Sequence, residues 1–166
     1  MTVDRVEQLL LKVTALLDAA QIPYAVIGGN AVAAWVSQKD VGAVRATKDV
    51  DLLVRRADLE RIRAAAKPAG LDLDEAMGGP ILLDAPDARP SQGVHLILAN
   101  EPIRSTQTRP APDVGECSPA DAGYRVLDVQ PLVIMKLEAF RLRDRVHLVV
   151  MLAVGLIDAS WLDKLP

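Results

Sequence analysis

At 166 residues the chain is most simply one domain with room for a single substantial core. A hydrophobic content of 51% with 25% charged residues describes a globular protein, and a net charge of −3 gives no global footprint for binding a long duplex. Cys117 is the single cysteine, which excludes an internal disulfide; with no signal-peptide layout and no bilayer-length apolar run, the expectation is a soluble cytoplasmic protein without a membrane partner.

Apolar residues at Val6, Leu9, Leu10, Val13, Leu16 and Leu17 recur at helical spacing and predict an amphipathic helix over 3–19. Gln21-Ile22-Pro23 stops it, and Tyr24 to Ile27 reads as a short buried strand. Gly28-Gly29-Asn30 then turns the chain into a helix over 31–35, whose alanines favour that state. A loop over 38–47 leads to Asp49-Val50-Asp51-Leu52-Leu53-Val54, an apolar strand interrupted by two aspartates. Asp58 is placed to cap a helix that Pro68 ends. Strand-like runs follow at 81–83 and 94–98, joined by a Pro/Asp/Gly-rich connection of hairpin type. Residues 100–121 carry several prolines and read as a surface excursion. A short strand near 124–127 and helices over 132–140 and 146–154 complete the chain. The basic clusters around Arg55-Arg56 and Arg141-Leu142-Arg143-Asp144-Arg145 read as solvated helix faces. The order predicts an α/β (α+β) domain over 1–166, a small mixed sheet flanked by helices, with C-terminal helices at about 129–164.

The aspartates carry the strongest functional signal. Side chains alternate along a strand, so Asp49 and Asp51 share a face while Val50 and Leu52 pull the segment into the core. Two like charges at a core edge need neutralising, either by a basic neighbour such as Arg45 or Lys48 or by a divalent cation. Mg²⁺ takes carboxylate oxygens and leaves positions for substrate phosphates, so Asp49 and Asp51 are the candidate metal ligands. The turn at Gly28, Gly29 and Asn30, strand before and helix after, has the geometry that presents backbone N–H groups to an anion.

Val26-Ile27-Gly28-Gly29-Asn30-Ala31-Val32-Ala33 together with Arg45-Ala46-Thr47-Lys48-Asp49-Val50-Asp51-Leu52 resembles the polymerase-beta-type nucleotidyltransferase fold, and more closely its abortive-infection toxin-type (AbiEii-like) group. Lys136-Leu137-Glu138-Ala139-Phe140-Arg141-Leu142-Arg143-Asp144 is similar to a further segment of that group. The resemblance implies an Mg²⁺-dependent (or Mn²⁺-dependent) transfer of a nucleotidyl group from an NTP to a hydroxyl of an RNA, protein or small-molecule acceptor. It also implies that Asp49 and Asp51 hold the metal, that Gly28, Gly29 and Asn30 line the triphosphate, and that Lys136 reaches it. A toxin–antitoxin or phage-defence setting follows from the same likeness; the apolar last helix and Trp161 either cover a homodimer interface or close the core, and a protein partner is the other expectation.

Two features depart from that pattern. Gly29 and Asp49 are separated by 19 residues, a long interval. On the strand at 94–98, where a third carboxylate is expected, stands His95: a general base, a metal ligand, or a core histidine bonded to backbone. Glu101 and Asp84 are the substitutes in reach by sequence. His147, in an apolar helix, reads as structural. The alternative functions are a catalytically degenerate module that binds nucleotide, metal or a partner, and an interaction domain in which basic neighbours pair the aspartates.

Overall fold

A computed structural model describes residues 2–76, 78–84, 88–104 and 107–165. Helix α1 (Val3–Ala19) buries Val6, Leu9, Leu10, Val13 and Leu17, the stripe its spacing predicts. Gln21, in the left-handed region, turns the chain into β1 (Tyr24–Val26), which is buried throughout. Helix α2 (Gly28–Ser37) begins on the first glycine rather than after the turn, and Trp35 Nε1 donates to the Leu127 carbonyl at 2.8 Å. Strand β2 (Val50–Val54) is followed by α3 (Leu59–Ala66), which a 3-10 turn containing Pro68 terminates.

Strands β3 (Leu71–Ala76), β4 (Gly79–Asp84) and β5 (Val94–Leu98) come next, then β6 (Cys117–Pro119) and β7 (Arg125–Leu127). Helices α4 (Val129–Ala139) and α5 (Leu142–Ala153) and a 3-10 segment (Ala159–Lys164) close the described chain.

The strands form one mixed sheet in the order β3-β4-β5-β2-β1-β7-β6. Strand β1 runs antiparallel to β2 and parallel to β7, while β2 runs parallel to β5. Strands β4 and β5 are antiparallel neighbours, as their hairpin-type connection predicts, although residues 85–87 of it lie outside the described residues.

Three expectations are corrected. The sheet has seven strands, because Leu71 and Leu73 alternate with exposed Asp72 and Asp74 to make β3, and Cys117–Pro119 pairs with β7. The segment over 100–121 is not only a surface excursion, since Ala111 and Val114 are buried and β6 lies within it. Helix α5 starts four residues before 146, and in its first turn the Asp144 carboxylate accepts from the Arg141 backbone N–H at 3.2 Å and from Arg141 Nε at 2.7 Å.

The core is aliphatic: Leu52, Leu53, Val54, Ile62, Leu71, Leu82, Leu127 and Leu132 are essentially inaccessible. Helix α5 leaves Leu142, Val146, Val149 and Leu152 on its exposed side.

Candidate active site

Strand register builds the site. Val26 of β1 lies opposite Leu52 of β2, and Ile27 N–H donates to the Asp51 carbonyl at 3.1 Å. The turn that leaves β1 is thereby set beside the start of β2, where the aspartates are. Gly28 sits at φ +70°, and a Cβ there would run into the Asp51 carboxylate. A Cβ on Gly29 would lie 2.7 Å from Thr47 Oγ1 and 2.9 Å from its Cβ. The two glycines therefore let the start of α2 lie flush against β2 and the loop before it.

Asn30 is buried, and its Nδ2 donates to the Asp49 carbonyl at 2.9 Å. Its side chain thus fixes the aspartate loop rather than projecting into open space. The N-cap residue Ile27 supplies no side-chain hydrogen bond, which leaves first-turn N–H groups of α2 to be satisfied from outside the helix.

Asp51 and His95 are register partners on the parallel strands β2 and β5, so their side chains share one face. Burial, with a further contribution from the nearby Asp49 charge, raises the Asp51 carboxyl above the usual range; His95, Arg143 and Lys136 pull it back. Asp49, one residue before β2, accepts a hydrogen bond from Arg143 Nη1 at its Oδ2, 2.7 Å away. The neutralising partner of Asp49 is thus neither Arg45 nor Lys48 but an arginine 94 positions along the chain.

Lys136 occupies a different position from the one its proposed role suggests. Its side chain is 6% exposed, and its Nζ lies 3.0 Å from Asp144 Oδ1, whose carboxylate also accepts from Arg141 Nε at 2.7 Å. Burial lowers the Lys136 ammonium below the ordinary lysine range, with Asp144 acting against that shift. For Asp144, burial opposes the charge, but the hydrogen bonds from Arg141 and Lys136 outweigh it and the carboxyl lies below its usual range. Lys136 acts on Asp51 through charge while its hydrogen bond goes to Asp144. His147, near the same charges, has a buried Nδ1 with no partner among the described residues.

The two substitutes for a third carboxylate are engaged elsewhere. Glu101 follows the far end of β5 and makes a two-pronged pair with Arg56, at 2.7 and 2.6 Å. Asp84 pairs with Lys12 at 2.7 Å. Among the described residues no group of three or more His, Cys, Asp and Glu side chains is arranged to cage a metal. What exists is a pair of hard carboxylates, one of them half-buried and without hydrogen-bond compensation. That donor set fits Mg²⁺ or Mn²⁺, which bind through one or two carboxylates plus substrate phosphates. A concavity of about 200 Å³ lined by Ile103, Pro110, Pro131, Ile134 and Met135 includes neither aspartate.

Sequence reasoning missed two residues, Thr47 and Arg143. Thr47 had a weak local signal, a hydroxyl two positions before an aspartate, and its Oγ1 lies 3.4 Å from the Asp49 amide. Arg143, read as part of a solvated helix face although it lies in the family-like segment, had no signal for its contact with Asp49, because that partner is distant in the chain.

No protein-family model matches the sequence, and no curated protein matches it. Solved structures do. A solution structure of the antibiotic-resistance factor ANT(2'')-Ia aligns over 99% of this chain and 94% of its own, with a TM-score of 0.62 at 16% identity. The chain has the polymerase-beta-type nucleotidyltransferase fold. A crystal structure of ANT(2'')-Ia in complex with adenylyl-2''-tobramycin covers 95% of this chain and 97% of its own, at a TM-score of 0.58 and 16% identity. A nucleotidyltransferase-like antigenic protein from Paracoccidioides brasiliensis covers 91% and 75%, at 0.53 and again 16%. At such identities the likeness establishes the nucleotidyltransferase fold; the site rests on the residues of this chain.

Proposed function

We propose that the protein is a metal-dependent nucleotidyltransferase that moves an NMP from an NTP to a hydroxyl acceptor. The observation that carries the reading is the half-buried Asp51 beside Asp49, with the glycine turn of α2 packed against it. A carboxylate raised by burial and by a like charge is stabilised by a cation, and the adjacent helix start suits the anion that comes with it. Mg²⁺ or Mn²⁺ held by Asp49 and Asp51 would neutralise the charge on the phosphates as the transferred group moves.

The first turn of α2, at Gly28 and Gly29, would hold the triphosphate through its N–H groups. The acceptor oxygen attacks the α-phosphorus, the bond to the bridging oxygen of the β-phosphate breaks, and pyrophosphate leaves. His95, next to Asp51 on the same face, takes the hydroxyl proton. The ANT(2'')-Ia complex with adenylyl-2''-tobramycin favours a small-molecule acceptor and an adenylyl donor. The AbiEii-like residue pattern favours a toxin–antitoxin or phage-defence setting, with RNA or protein as acceptor.

The test is pyrophosphate release from each of the four NTPs with Mn²⁺ or Mg²⁺ and a panel of small-molecule, RNA and protein acceptors. The reading expects release with at least one pair, and loss of at least about a hundredfold in Asp49→Ala and Asp51→Ala, the scale of removing a group that stabilises transition-state charge. Equal turnover in wild type and both variants contradicts it.

A second reading has its own observation. His95 stands where a third carboxylate would, and Arg143 already neutralises Asp49, as in a module that binds nucleotide without transferring it. NTP binding without pyrophosphate release across the whole panel selects that reading.

A further inference from the structure

Three cations approach the aspartates from the corner between α4 and α5, and two of them are committed to Asp144. Lys136 Nζ and Arg141 Nε lie 3.0 and 2.7 Å from its oxygens, around a carboxylate that is 1% exposed. Arg143 is placed differently. It lies in the first turn of α5, its side chain is 58% exposed, and Nη1 meets Asp49 Oδ2 at 2.7 Å. The Asp144 cluster ties the start of α5 to α4, so the guanidinium is delivered to the site by a fixed element.

We propose that Arg143 is the mobile phosphate-binding cation of the site, seated on Asp49 in the absence of metal and transferred to the nucleotide's phosphates when a divalent cation takes Asp49. The inference rests on the nucleotide-site reading above and names the cation that Lys136, buried on Asp144, does not supply.

The physical argument has three steps. A divalent cation at Asp49 competes with the guanidinium for the same oxygen and repels it, and the doubly charged ion is the stronger competitor for a hard carboxylate. The exposed arginine has a long stem that can re-aim without moving the helix, and an exposed ion pair of this kind holds it only weakly. A nucleotide whose phosphates were held at the glycine turn, which packs against Asp51, would offer the released guanidinium a new anionic partner. A guanidinium pairs with phosphate in a two-pronged geometry that an ammonium cannot reproduce.

This makes two affinities move in opposite directions, which a solvated helix-face arginine would not do. The experiment measures Mn²⁺ binding alone by electron paramagnetic resonance, and binding of each NTP with Mn²⁺ by calorimetry. The proteins are wild type, Arg143→Ala, Arg143→Lys and Asp51→Asn, with the fold of each checked by circular dichroism. The expected result for Arg143→Ala is tighter binding of Mn²⁺ alone, by about threefold, and weaker binding of the preferred Mn²⁺–NTP, by about tenfold, the scale of one charge-assisted contact. Arg143→Lys should fall between the two proteins in NTP affinity. The proposal is overturned if Arg143→Ala leaves both affinities unchanged, or shifts both the same way, while wild type binds Mn²⁺–NTP and Asp51→Asn does not. If wild type itself binds no metal–nucleotide, the nucleotide-site reading fails and this inference with it.

Discussion

Asp51 and His147 are half-buried ionisable groups that respond to pH in opposite senses. The Asp51 carboxyl is raised by burial first and by Asp49 second, so its contribution to stability is present in acid and lost as pH rises through its folded value. For His147, burial first, and then the charges of Lys136, Arg143 and Arg141, lower the imidazole from 6.5 to about 4, while Asp144 acts the other way. Its Nδ1 has no partner among the described residues to offset that burial. A depressed folded value means full stability above 6.5, falling as pH drops through about 4, because the unfolded chain takes up the proton first. His147→Leu should therefore lose less stability than wild type between those limits, by on the order of 2 kcal/mol. Urea midpoints of both proteins at neutral pH and near pH 4.5 check this; parallel losses contradict it. At this scale the strand carrying Asp51 and the glycine turn were legible, because strand propensity and backbone permissiveness are local properties, whereas Asp49 lies just before β2 and not within it. His95 was placed correctly on β5, but its neighbour across the sheet depended on register. The Arg143–Asp49 contact was not legible, since a charged residue in a basic run carries no mark of a partner 94 positions away.

The helices nearest the site share a buried charged cluster in addition to the apolar residues, Leu132, Val133, Leu148 and Met151, that they bury in the core. Lys136 on α4 and Asp144 on α5 are almost wholly buried, and Arg141, at the start of α5, donates its backbone N–H and its Nε to the same carboxylate. Removing the lysine leaves a buried carboxylate with one cation fewer, so Lys136→Met should destabilise the protein by about 2–4 kcal/mol. Lys136→Met/Asp144→Asn should recover part of that loss, because the uncompensated charge is gone. Chemical denaturation of the two variants measures both; a loss in Lys136→Met below about 1 kcal/mol, the range of an exposed pair, contradicts the assignment. The sequence shows why the cluster was hard to foresee: a lysine one helical turn before a glycine-free boundary looks solvated, and the left-handed Phe140 that folds α5 back carries no turn signature. Strand β3 did have a signal, the alternation of Leu71 and Leu73 with Asp72 and Asp74. Strand β6 had little, being three residues that include a proline.

On the scale of the whole molecule, topology makes the site. Antiparallel β1 and β2 bring the end of one strand to the start of the other, and parallel β2 and β5 align their starts. Residues 27–30, 47–51 and 95 therefore meet at one end of the sheet. The α/β class and most of the element order were readable from periodicity and turn residues. The seven-strand order, with β7 beside β1, was not, because non-local pairing leaves no periodic trace. A site assembled this way has a global consequence: a ligand that binds only the folded state stabilises all of it. At about a hundred times its dissociation constant that amounts to about 2.7 kcal/mol, or an unfolding midpoint raised by roughly 5–10 °C for a chain of this size.

The most direct test is thermal unfolding of wild type and Asp51→Asn with Mn²⁺ or Mg²⁺ and each of the four NTPs. The account predicts a nucleotide-specific rise that needs the metal and is absent in Asp51→Asn, whose own ligand-free midpoint at neutral pH lies above that of wild type. No shift in wild type at saturating metal and nucleotide, or an equal shift in Asp51→Asn, contradicts it.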